Sequence, residues 1–181
     1  MSTKTEATIE DLYKVEGKAE LVDGEIVHMS PTGGKPSMAA REIVFSLREY
    51  ERRTKSGYAI TDNAAFVVNL THRKSFSPDA AFYVGDVDTM KFFEGAPVFA
   101  VEVRSEGDYG PKAEEATARK RADYFAAGTQ VVWDVDLLSE TPVRVFRASD
   151  PENPTAYRRG ESAEAEPALP GWTMPVDDLF V

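Results

Sequence analysis

The chain has 181 residues, 42% of them hydrophobic and 29% charged, and a formal net charge of −10; that is enough to bury a sizeable core as a single soluble, globular domain over residues 1–181. The absence of cysteine excludes disulfides, thiolate zinc sites and cysteine nucleophiles, and two histidines, His28 and His72, leave little scope for histidine-rich metal sites or triads. The negative charge opposes non-specific attraction to nucleic acid, so such a partner needs positive charge concentrated at one place.

The polar opening MSTKTEATIEDLYK resembles neither a signal nor a transit peptide. No apolar stretch is long enough to cross a membrane, and a cytoplasmic protein is expected. Thr8 and Asp11 have capping-box spacing for a short helix that Gly17 closes. AELVDGEIVHMS reads as a hairpin about Asp23-Gly24. SMAAREIVFSLREYERRTKSG is the clearest long helix, with Ala40, Ile43, Val44 and Leu47 at helical spacing and Gly57 at its end.

Strand-like runs follow: YAITD, AAFVVNL, DAAFYV and PVFAVEV. PKAEEATARKRADYFAAG is a second long helix, with Pro111 near its start and Gly128 at its stop. QVVWDVD and VRVFRA are strands, and the Pro-rich tail after them has room for a short hairpin. This order predicts an α/β fold, a mixed sheet flanked by helices. PVFAVEV, the second long helix and QVVWDVD form a right-handed parallel crossover.

Two acids interrupt this apolar pattern. PVFAVEV is apolar on both faces, as a central strand is, yet Glu102 lies inside it. Arg104, two residues on, could compensate Glu102 in a structural ion pair, and these two residues alone fit that reading as well as a functional one. Asp79 opens the preceding strand after Pro78, where a local Asx turn is one use for it. Two carboxylates meeting at neighbouring strand ends repel unless a divalent cation lies between them, and oxygen ligands suit Mg²⁺ or Mn²⁺. On the second helix, Ala113, Ala116, Lys120 and Tyr124 share a stripe. The opposite side is also apolar, so Lys120 either points at the acids or snorkels at the surface.

SPDAAFYV, PVFAVEVRSE and KRADYFAAGTQVVWDVD, in this order, resemble the Uma-two family of restriction endonuclease-like proteins, within the PD-(D/E)xK nuclease superfamily. AELVDGEIVHMSP and LPGWTMPVDDLF are similar to it too, so the resemblance runs from about residue 8 to the C-terminus. It implies a restriction-endonuclease-like fold. It implies that Asp79, Glu102 and the backbone carbonyl of Val103 are metal ligands, and that Lys120, four residues before Tyr124, replaces the superfamily lysine of the strand. Glu20 matches a recurrent family acid that completes the metal shell or holds a ligand in place. Arg104 stands at the superfamily lysine position, where it can neutralise a phosphate but cannot act as a base. The histidine that often precedes the long helix is missing from GGKPSMAAREI. The stretch from Glu102 to Lys120 is longer than usual by about one helical turn, which keeps the lysine on the same face.

The expected function is a Mg²⁺- or Mn²⁺-dependent endonuclease hydrolysing DNA phosphodiester bonds. Its catalytic residues are Asp79, Glu102, Lys120 and Arg104, and the resemblance implies a homodimer. Arg48, Arg52, Arg53, Lys55, Arg119 and Arg121 are candidates to follow a nucleic-acid backbone. The alternative is a nuclease-like interaction module that binds protein or nucleic acid without cleaving; RNA or a nucleotide is a further substrate option.

Overall fold

The computed structural model describes residues 5–181; the first four residues of the polar opening lie outside them. Helix α1 (Ile9–Leu12) begins with the expected capping box. The Thr8 side chain accepts from the Asp11 amide, and the Asp11 carboxylate accepts from the Thr8 amide. The helix is one turn long and stops well before Gly17. Strands β1 (Ala19–Val22) and β2 (Glu25–His28) form the hairpin, pairing Val22 with Glu25. Asp23 and Gly24 both have positive φ, 52° and 70°, the combination that a tight hairpin turn demands.

Helix α2 runs from Gly34 to Thr54, starting before the expected SMAA because Pro36 is tolerated in a first turn. It ends at Lys55 in the left-handed conformation rather than at Gly57. Its buried stripe is Ala39, Ala40, Ile43, Leu47 and Tyr50, and full burial of Ile43 or Leu47 contributes roughly 2 kcal/mol each. Next come β3 (Tyr58–Ile60), β4 (Phe66–Val67), β5 (Ser75–Phe76), β6 (Ala80–Tyr83), β7 (Phe93–Glu94) and β8 (Phe99–Val103). Of the run AAFVVNL only Phe66 and Val67 pair as strand. They join β5 and β7 in a small sheet ordered β5-β4-β7.

After β8 come α3 (Pro111–Ala126), β9 (Val131–Val135), β10 (Val143–Arg147) and β11 (Asp150–Tyr157). A hairpin of β12 (Ser162–Glu164) and β13 (Thr173–Pro175) and a 3-10 turn over Val176–Leu179 follow. The central sheet is ordered β11-β10-β9-β8-β6-β3. β8 and β9 are parallel, joined through α3 as predicted, and the other neighbours in it are antiparallel. The start of the Pro-rich tail supplies the eight-residue strand β11. Pro151 and Pro154 are tolerated there because β11 is the sheet edge.

Alternation along the strands decides what each face carries. Phe99, Val101 and Val103 face α2 and the C-terminal hairpin, in a core that includes Trp133 and Trp172. Ala100 and Val132 face the other way, onto Tyr124 of α3 and onto Phe66 and Phe76. Glu102 follows Ala100 on that second face.

Candidate active site

The sheet register brings three acids into one row. Ala80 pairs with Val101, and Glu102 with Asp134. One further step along the first ladder sets Asp79 opposite Glu102, so Asp79, just before β6, lies beside Glu102 of β8 and Asp134 of β9. Asp79 is held from two sides. Its amide donates to the Val101 carbonyl at 3.0 Å, and its Oδ2 accepts from the Val103 amide at 2.7 Å. This is a cross-strand bond rather than a local Asx turn.

The cations come from elsewhere in the chain. Lys18, just before β1, donates to Asp79 Oδ1 at 2.7 Å and lies 2.7 Å from Asp62. Lys120 points inward, 2.8 Å from Glu102 Oε1 and 2.8 Å from Glu20 Oε1. The Tyr124 hydroxyl donates to the same Glu102 oxygen at 2.6 Å. Both contacts therefore fall on Oε1, and among the described residues Oε2 has no protein partner. Burial, then the negative charges of Asp79 and Glu20, push the Glu102 carboxyl up to about 6, against the opposing effect of Lys120. Burial disfavours the Lys120 ammonium, but Glu102 and Glu20 outweigh it and hold its pKa above the ordinary lysine value.

Glu20 is 3% exposed and saturated. Its Oε1 accepts from the Ser77 amide at 2.8 Å and faces Lys120, and its Oε2 accepts from Arg73 at 2.6 Å. Arg73 also donates to Asp123 at 2.8 Å, and Asp123 lies 2.6 Å from His72 Nε2. A continuous chain of hydrogen-bonding side chains thus runs from the partly exposed His72 to Lys120. Burial raises the Glu20 carboxyl, but Lys120 and Arg73 bring it below its ordinary value.

Arg104 does not pair with Glu102. It lies past the end of β8, and its fork grips Asp134, Nε to Oδ1 and Nη2 to Oδ2, both at 2.8 Å. The same guanidinium bonds Glu114 in the first turn of α3 and the Asp108 carbonyl. The hydrogen bonds it donates to Asp134 and Glu114 hold its pKa above the ordinary arginine value. The structural reading in which Arg104 pairs with Glu102 is therefore corrected. Asp134 is the acid that occupies Arg104, and Arg144 of β10 adds a third arm at 2.6 Å.

Above the acids is a cleft of about 510 Å³. Residues 28–32 form one wall, and Ser105, Asp108 and the inner side of α3 form another. The arginines near the end of α2 sit on the opposite face of the sheet; Arg48 pairs there with Glu51. Arg119 is taken by Asp23 at 2.9 Å. Arg121 lines the cleft, with its guanidinium 3.6 Å above the Phe146 ring.

Among the described residues no group of three or more histidine or carboxylate side chains stands ready to hold a metal ion. The chemistry of the donors nonetheless fits Mg²⁺ or Mn²⁺. Mg²⁺ is ordinarily held by one or two carboxylates, with water and substrate phosphate completing its shell. Asp79 and Glu102 supply two carboxylates on adjacent strands, and the Val103 carbonyl is a further oxygen beside them.

Lys18, Arg73, Asp123 and Asp134 were missed from the sequence. Only Asp134 left a signal, an acid inside the apolar strand VVWDV that repeats the anomaly of Glu102.

A mixed sheet with an acid row at its strand ends, covered by a lysine-bearing helix, has the shape of a nuclease-like fold. It matches the crystal structure of "a putative nuclease belonging to DUF820" from Anabaena variabilis. The TM-score is 0.75, with 18% identity over 96% of this chain and 97% of that one. The family model described as "Putative restriction endonuclease" (Uma2) matches residues 7–177, and the chain belongs to that family. None of the curated proteins matches it. No helix among the described residues is long and apolar enough to cross a membrane.

Proposed function

We propose that the protein is a Mg²⁺- or Mn²⁺-dependent endonuclease that hydrolyses DNA phosphodiester bonds at this cleft. The observation that carries it is the juxtaposition of Asp79 and Glu102 with the inward Lys120 ammonium, 2.8 Å from Glu102. Membership of the Uma2 family supports the same reading.

Asp79, Glu102 and the Val103 carbonyl would hold the ion. When bound, such an ion supplies Lewis acidity and a water acidic enough to attack phosphorus near neutral pH. Lys120, kept protonated by the negative charge of Glu102 and Glu20, is a hydrogen-bond donor and not a base; it orients the attacking water or balances charge on a phosphate oxygen. Tyr124 and Glu20 fix Glu102 and Lys120 in place. Glu20, saturated by protein donors, acts by holding Lys120 rather than by joining the metal shell. Arg104 is a positioning residue, with its fork committed to Asp134 and Glu114. A homodimer would bring two such clefts to the two strands of a duplex, and sedimentation with and without DNA tests it.

The test is calorimetric titration of Mn²⁺ and Mg²⁺ into wild type, Asp79→Asn and Glu102→Gln, with plasmid cleavage followed in the same buffers. Binding and cleavage lost together in both variants support the metal nuclease. No metal binding to folded wild type would sink it. The protein would then be an interaction module, a reading favoured by the neutralisation of both acids by Lys18 and Lys120 and by the net charge of −10.

A further inference from the structure

Four lysines and arginines line the cleft: Lys18, Arg104, Lys120 and Arg121. Three of them are committed to carboxylates within hydrogen-bond reach, Lys18 to Asp79, Lys120 to Glu102 and Glu20, and Arg104 to Asp134 and Glu114. Arg121 differs. Among the described residues it has no hydrogen-bond or ion-pair partner. Its contact is the face of Phe146 on β10, which holds the guanidinium carbon 3.6 Å from the ring centre.

Stacking of this kind fixes the position of an arginine while leaving its N–H donors in the plane of the fork free to meet an acceptor. The surroundings also leave it uncompensated. Burial, together with Arg144 and Arg104, disfavours its charge more than Asp134 and Glu152 relieve it. Asp134 is already shared by Arg104 and Arg144. Two guanidinium groups thus bond this one buried carboxylate and Arg121 feels its charge only at longer range, so a further anion at this point is electrostatically favoured. Glu114, the other acid of the cluster, is engaged by Arg104 from the first turn of α3.

We infer that Arg121 is the phosphate-binding residue of the cleft, taking a non-bridging oxygen of the nucleic-acid backbone beside the phosphate that is cut. The place suits the role. Arg121 follows Lys120 on α3, while Phe146 lies on β10, two strands across and two residues along from Glu102, about 12 Å away at ordinary strand spacing and rise. A backbone seated over Glu102 that runs along the cleft towards β10 meets Arg121 next. The phosphate contact that the superfamily pattern assigns to the strand cation at Arg104 is thereby supplied from the helix. This inference rests on the proposed nuclease function.

The experiment measures binding of a fluorescein-labelled DNA duplex by anisotropy over a series of salt concentrations, with Ca²⁺ replacing Mg²⁺ so that the duplex stays whole. Wild type is compared with Arg121→Met and Arg121→Lys, and with Arg48→Met as a control on the far face of the sheet. Methionine keeps an apolar stem over Phe146, and thermal unfolding of each variant checks that packing survives. The expected result for Arg121→Met is an affinity loss of about tenfold and a salt dependence shallower by about one counterion. Arg121→Lys should recover the salt dependence but not the full affinity, and Arg48→Met should change neither. Wild-type affinity and salt slope in a folded Arg121→Met overturn this inference and leave the nuclease reading standing. Wild type that binds no duplex in this assay overturns both.

Discussion

The Lys120 ammonium lies 2.8 Å from Glu102 Oε1, the same oxygen that accepts the Tyr124 hydroxyl at 2.6 Å. One turn of α3 therefore reaches across to the middle strand of the acid row and takes one oxygen of Glu102 with two donors. The other oxygen is left for the cleft.

If that ammonium supplies charge stabilisation, Lys120→Met should lower the single-turnover cleavage rate by about 10²- to 10³-fold. DNA affinity should change far less, because the phosphate contact lies elsewhere. Rate and affinity falling in proportion would instead make Lys120 a general binding residue. Lys120→Arg keeps the charge but not the compact point donor, so it should restore folding more fully than rate.

Glu102 gives the metal-free protein a distinctive pH dependence. Its folded pKa of about 6 lies above the ordinary glutamate value of about 4.3, so the folded state holds this proton more tightly than the unfolded chain does. The stability linked to it is fully present below about pH 4.3 and is lost as pH rises to about 6, by an amount of order 1–2 kcal/mol. The acids whose pKa values are lowered, Glu20 among them, act in the opposite sense and at lower pH. Urea denaturation in EDTA checks this. Wild type should lose stability relative to Glu102→Gln between about pH 4.5 and pH 6.5, and parallel profiles would show that Glu102 does not titrate there. Divalent-ion affinity should rise over the same window, since the ion competes with that proton.

Arg104 is expected to matter for stability more than for chemistry. Arg104→Met leaves Asp134, 2% exposed, with Arg144 as its remaining arm and should cost about 3 kcal/mol. The rate constant of the folded fraction should stay within a few-fold of wild type. Arg104→Lys, which restores the residue type expected at this strand position, should recover only part of the loss because an ammonium cannot bridge Asp134 and Glu114 with one planar fork. A stable Arg104→Met with abolished cleavage would return Arg104 to the reacting phosphate.

The elements legible in the sequence were those whose partners are local or whose pattern is long. The capping box at Thr8, the Asp23-Gly24 turn, both long helices and the β8–α3–β9 crossover follow from spacing within a few residues. Asp79, Glu102 and Lys120 were visible as polar interruptions of apolar patterns. Their compensation was not. Lys18 meets Asp79 across 61 residues and Arg73 meets Glu20 across 53, and neither lysine nor arginine looks unusual in its own segment. The nearest cation in sequence, Arg104, was one candidate partner for Glu102, whereas the structure gives it to Asp134. Strands β4, β5 and β7, two residues each, are too short to carry a period. The edge strand β11 was hidden by prolines that only an edge tolerates.

Arg73 should be the most costly single substitution in the charged network. It is 5% exposed and spans two nearly buried acids, Glu20 at 2.6 Å and Asp123 at 2.8 Å, with its guanidinium 4.9 Å from the Phe76 ring centre. Arg73→Met leaves Glu20 with Lys120 and Asp123 with the half-exposed His72, an uncompensated arrangement expected to cost about 3–5 kcal/mol. Glu20→Gln in the same chain removes one under-compensated charge and should return part of that loss. A double-mutant cycle by urea denaturation reads the coupling directly. Additive losses in that cycle would mean that Arg73 and Glu20 do not support one another.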